Sequence, residues 1–110
     1  MINKQKRLKK ADFETVMKNS RVLSNDHLSL RFVVIPTLSQ PQMAIVIAKK
    51  VSKLAVKRHL LRRRLAGILT NLPLTGAGLI FFVKKDFSSL STPELAQTTI
   101  DLLVKAKVLE

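Results

Sequence analysis

Residues 79–84 read LIFFVK, apolar on both faces of an extended chain, and this run restricts the possible folds more than any other segment. A strand with one wet face alternates polar and apolar residues, so a strand without alternation belongs in the interior of a sheet. It needs neighbouring strands, and the chain supplies them. Residues 27–35 alternate, with Leu28, Leu30, Phe32 and Val34 on one face and Ser29, Arg31, Val33 and Ile35 on the other. Pro36 ends that strand, residues 37–42 with Pro41 make a turn, and residues 43–48 form a second run rich in β-branched residues. So short a connection predicts an antiparallel hairpin between these two strands. Residues 21–24 read as a short edge strand before the turn-like Asn25-Asp26.

Three segments carry helical periodicity. In residues 11–20, Phe13, Val16, Met17 and Ser20 fall on one face, with Asp12 and Glu14 near the positive end of the dipole. Residues 55–72 place Leu61, Leu65, Ile68 and Leu72 in a stripe that Asn71 and Pro73 terminate. After a turn at Gly76-Ala77-Gly78 and the interior strand, Ser91-Thr92-Pro93-Glu94 is a helix cap: a hydroxyl to accept a backbone N–H, a proline in the first turn, and a carboxylate to bond back. That helix is expected to reach residue 109, with Leu95, Ile100, Leu103, Val104 and Val108 inward. The order α-β-β-β-α-β-α, without repeat or linker, describes a single α+β domain over residues 1–110.

Charge points to a partner. Twenty Lys and Arg face seven Asp and Glu, a formal net charge of +13 that repels itself unless a polyanion approaches. Eight of those cations lie in residues 49–64, KKVSKLAVKRHLLRRR, and no Asp or Glu occurs between Asp26 and Asp86. On a helical wheel His59, Arg62, Arg63 and Arg64 fan out opposite the apolar stripe, and Lys57 and Arg58 flank it. A single-sign face forgoes the i,i+4 pairing that a merely solvated helix uses, so it gains only from an external anion. The candidate nucleic-acid-binding residues are Lys49, Lys50, Lys53, Lys57, Arg58, His59, Arg62 and Arg63. A second cluster, Lys4, Lys6, Arg7, Lys9 and Lys10, precedes the first helix in a segment, residues 1–10, expected to be mobile. The membrane reading of a basic amphipathic helix is weaker, because the stripe lacks Trp and Phe and is needed for the core.

Catalysis by the protein is not supported. There is no Cys, His27 and His59 are the sole histidines, and no carboxylate pair, Gly-rich phosphate loop, HExxH or GxSxG pattern exists. No catalytic residue, metal site, cofactor or small-molecule substrate is therefore assigned. With no apolar run of membrane-spanning length and no secretory signal, the cytoplasm is the expected compartment. Phe13 is flat enough to stack on an unpaired base, and the Arg31 guanidinium could do so or pair with phosphate.

Arg7-Leu8-Lys9-Lys10 followed by Asp12-Phe13 and Val16, then Ala48-Lys49-Lys50-Val51 leading into a basic helix, then LIFFVKKDFSSLSTPEL, together resemble the ribonuclease P protein subunit family over nearly the whole chain. The resemblance implies an α/β sandwich with a left-handed βαβ crossover, from the strand at Met43 through the helix at Ala55 to the strand at Leu79, a fold shared with a ribosomal protein domain. It implies one protein bound to ribonuclease P RNA and to the 5′ leader of precursor tRNA, with the RNA and Mg²⁺ cleaving the phosphodiester. Phe13 matches an aromatic of the leader-binding cleft, while Met17 and Arg31 fall where aromatics are usual. The family's Arg-Asn-Arg signature corresponds to Lys57-Arg58-His59 without a gap, or to Arg58-His59-Leu60 with one residue inserted near Leu54. Two other readings share parts of the pattern: a ribosomal-type structural RNA-binding protein, and a metal-dependent nuclease, which would need clustered carboxylates.

Overall fold

The computed structural model describes residues 7–34, 41–74 and 76–109. In chain order these form α1 (Lys10–Asn19), β1 (Arg21–Ser24), β2 (Leu28–Val34), β3 (Gln42–Ile47), α2 (Ala55–Leu69), β4 (Ala77–Val83) and α3 (Thr92–Ala106). The expected order of elements is the observed one. Residues 1–6, with Lys4 and Lys6, the end of the second strand at Ile35 and the turn at residues 36–40 lie outside the described residues, as do Thr75 and Glu110.

The four strands make one mixed sheet in the order β1-β2-β4-β3. β4 is interior, as LIFFVK requires: it pairs antiparallel with β2 and parallel with β3. The expected hairpin between the second and third strands does not form, because β4 lies between them. Six of its seven residues are buried, and a strand this apolar gains more from two ladders than two half-polar strands gain from pairing with each other. The turn expected at Gly76-Ala77-Gly78 is displaced too, since Ala77 and Gly78 already pair with Val34 and Val33.

Period-two alternation divides the residues between the two faces. Leu28, Leu30, Phe32, Met43, Ile47, Leu79, Phe81 and Val83 face α2 and α3 and join Leu61, Leu65, Leu69, Leu95, Leu102 and Leu103 in the main core. The opposite face carries Ile80, which forms a smaller core with Leu8 and Val16 beneath α1. The molecule is thus three layers, α1, the sheet, and α2 with α3.

Helix ends are set by local chemistry. α2 stops at Leu69, short of the expected residue 72, where Thr70 Oγ1 and Asn71 Nδ2 both donate to the Gly67 carbonyl, at 3.2 and 3.0 Å. Leu72 therefore lies beyond the helix, and Ala66 and Leu69 rather than Ile68 and Leu72 complete its buried stripe. α3 starts at the expected capping box: Glu94 N–H donates to Ser91 Oγ at 3.3 Å, and Ser91 N–H donates to Glu94 Oε1 at 3.1 Å. It ends at Ala106 rather than residue 109. Lys107 turns left-handed, with φ 58°, and the Lys107 and Val108 amides donate to Val104 and Leu103, the paired bonds of a Schellman stop. Val104, expected inward, is exposed, and Leu102, Thr99 and Ala106 take the buried positions instead.

Candidate nucleic-acid interface

α2 projects its cations in three directions, and the surroundings give them different tasks. Leu61 and Leu65 anchor the inner side. On the flank toward α3, Lys57 Nζ lies 2.7 Å from Asp86 Oδ2, the one ion pair among the described residues. Arg64, which the wheel places outward, instead reaches the segment before α3. Its Nη1 donates to the Phe87 carbonyl at 3.2 Å and its Nη2 to the Leu90 carbonyl at 2.6 Å, with the guanidinium carbon 5.8 Å from the Phe87 ring centre. Arg64 is thereby removed from the outward-facing set. Arg64→Ala is expected to cost about 2 kcal/mol of stability, since both charge-assisted bonds and the ring contact are lost; an unchanged urea midpoint would show that the clamp carries nothing.

Arg58 is also engaged. Its Nη1 donates to the carbonyls of Ser52 and Lys53, at 2.8 and 3.1 Å, fastening the loop after β3 to the first turns of α2. Lys49, Lys50 and Lys53, on that same loop, are all exposed. His59 and Arg63 are exposed and Arg62 is half-buried, none with a hydrogen-bond or ion-pair partner among the described residues. The outward side of α2 is not purely basic, because Val56 (75% exposed), Leu54 and Leu60 share it.

Asp86 is the acid that interrupts this surface, and the Lys57 ammonium, helped by the Ser88 hydroxyl and amide, lowers its pKa from 3.8 to about 2. A carboxyl depressed on folding adds stability above its unfolded range, and that stability is lost as pH falls toward about 2. Melting curves between pH 4 and 2 should therefore fall more steeply for the native protein than for Asp86→Asn; parallel curves would show that the pair contributes nothing.

The N-terminal cluster does not stand apart. Leu8 N–H donates to the Met43 carbonyl at 2.9 Å and Arg7 bridges Met43, so this segment lies along the free edge of β3. Within the segment of residues 1–10, that bond and the burial of Leu8 join Arg7 and Leu8 to the sheet. Arg7 and Arg62, from clusters far apart in sequence, line the same cavity. Lys9 is exposed at the start of α1, while the side chain of Lys10 lies outside the described residues.

Phe13, Met17 and Arg31 share the α1 face of the sheet. Phe13 and Met17 are half-buried beside Val16, and Arg31 sits in register between Val22 and Ile80. The same surface holds Phe82 and Val46, both partly buried and both missed from sequence. Period two was the available signal, since Phe82 must share the face of Ile80 once Leu79 and Phe81 point the other way. Among the described residues no group of three or more His, Asp or Glu could hold a metal ion, and no helix is long and apolar enough to cross a membrane.

A family model described as Ribonuclease P matches residues 2–107. The ribonuclease P protein component of Pseudanabaena sp. is 32% identical over 113 residues, covering 99% of this chain and 97% of that protein. Its counterpart in Synechococcus elongatus is 34% identical over 111 residues, covering 94% and 91%. Among solved structures, a Staphylococcus aureus RNase P protein mutant superimposes with TM-score 0.84 at 20% identity, over 96% of this chain and 92% of that one. The RNase P protein of Thermotoga maritima does so with TM-score 0.78 at 20% identity, over 90% and 96%. At such identities the structures speak to the fold, which is shared over 90–96% of this chain.

Proposed function

The chain belongs to the ribonuclease P protein family, and from that membership we propose that it acts in the cytoplasm as the protein subunit of ribonuclease P, one protein on each ribonuclease P RNA. The RNA, with its Mg²⁺, carries the cleavage that removes the 5′ leader of precursor tRNA. The protein's contribution is charge and shape. Lys49, Lys50, Lys53, His59, Arg62 and Arg63 contact phosphates of the RNA, and Arg7 and Lys9 extend the same surface. Lys57 and Arg58 act one step back, through the Asp86 pair and the closed loop. The observation that carries this reading is a cationic surface on a rigid helix with a single acid, Asp86, set against it.

The α1 face takes the leader. Single-stranded RNA offers splayed bases, and a half-buried Phe13, with Phe82 beside the same small core and the planar Arg31 cation, suits stacking better than hydrogen-bond readout. Met17 supplies an adaptable apolar wall where an aromatic is usual.

Reconstitution tests the proposal: the purified protein added to ribonuclease P RNA restores 5′ processing of precursor tRNA at low Mg²⁺. Absence of stimulation overturns it and favours a ribosomal-type RNA-binding role; cleavage by the protein alone would revive a nuclease. Phe13→Ala is expected to weaken leader-bearing precursor by about tenfold, near the value of one stacked base, and to leave mature tRNA unchanged. Equal weakening of both would remove Phe13 from the cleft.

A further inference from the structure

β3 is an edge strand, and its outer side is only partly occupied. Leu8 N–H takes the Met43 carbonyl at 2.9 Å. Strand alternation turns the amide and carbonyl of Ile45 to that same outer side, where no strand pairs among the described residues. Between this edge and α2 lies a cavity of about 390 Å³ with Met43, Ala44, Ile45 and Ala66 on its walls and Arg7 and Arg62 lining it as well. No carboxylate lines it, and neither guanidinium has a hydrogen-bond or ion-pair partner among the described residues.

We propose that this cavity holds one unpaired nucleotide of the bound RNA, a site separate from the α1 face. Three features select that occupant. The volume falls within the range of about 300–1,000 Å³ typical of pockets for small organic groups. The partly exposed apolar surface of Ala44 and Ile45 would be left wet by a bare phosphate, whereas a base covers it. The two uncompensated guanidinium groups call for an anion beside that base, which excludes an extended peptide adding to the edge by backbone bonds alone. A nucleotide provides both parts: the base covers the partly exposed Ala44 and Ile45, its edge meets the Ile45 amide and carbonyl, and its phosphate lies between Arg7 and Arg62. A paired base presents neither its face nor its Watson–Crick edge, so the nucleotide comes from a loop, bulge or end.

The proposal rests on the RNA-binding reading, and its test is chosen to fail separately. In amide NMR spectra of the full chain, adenosine 5′-monophosphate is expected to shift the Ile45 and Ala66 signals saturably, while inorganic phosphate at equal ionic strength leaves them in place. Equal shifts from phosphate, or no shift at Ile45 and Ala66 with the nucleotide, overturn the site. In a second experiment Ala44→Leu, a neutral enlargement at a partly exposed wall position of the cavity, lowers affinity for ribonuclease P RNA about tenfold with an unchanged melting temperature. Unaltered affinity overturns the site as well. Native protein that binds no ribonuclease P RNA would overturn the functional reading instead, and the nucleotide titration would still decide the cavity.

Discussion

Reversing Arg62 and Arg63 to glutamate is expected to lower RNA affinity by roughly two orders of magnitude at about 0.1 M salt while moving the melting temperature by no more than about 2 °C. Each phosphate contact contributes a slope near −0.9 in log affinity against log salt, so two lost contacts alone account for about 60-fold at that salt relative to 1 M. Two introduced repulsions add to it. Folding should be indifferent, since neither side chain has a hydrogen-bond or ion-pair partner among the described residues. Binding titrations at several salt concentrations check this: the slope should become shallower by about two. A large drop in melting temperature would mean that these arginines hold α2 in place.

Phe81→Ala is expected to be the most destabilising single substitution in the sheet, at about 3–5 kcal/mol. Phe81 is fully buried in β4, in register with Leu30 on one side and Ile45 on the other. Truncation opens a cavity where the two ladders and the α2–α3 layer meet. Against a total stability of about 5–15 kcal/mol, this leaves a marginal fold. The urea midpoint should fall with an unchanged dependence on denaturant, and a cost below about 1 kcal/mol would show that neighbouring side chains can close the gap.

The parts of this molecule legible in its sequence are those governed by near neighbours along the chain. The interior position of β4 follows from LIFFVK alone, and the start of α3 from Ser91 and Glu94, whose bonds span three residues. Strand partnership is not legible in the same way, because proximity in sequence favours a hairpin between the second and third strands, whereas burial of β4 on both faces overrides it. A helical wheel shows which way Lys57 and Arg64 point but not what lies there. Asp86, Phe87 and Leu90 reach them only through the return of the chain after β4. The meeting of Arg7 with Arg62 depends likewise on a backbone bond from Leu8 to Met43, across a separation that no local pattern reports.

Placing the last strand in the middle of the sheet also fixes an order of events during synthesis. β2 and β3 are joined only through β4, and pairing between strands so distant in the chain is slow and cannot be completed before β4 has left the ribosome. The nascent chain thus carries its arginine-rich helix for some time without the platform that aims it, and only a polypeptide synthesised through β4 can present that charge to RNA in an ordered way.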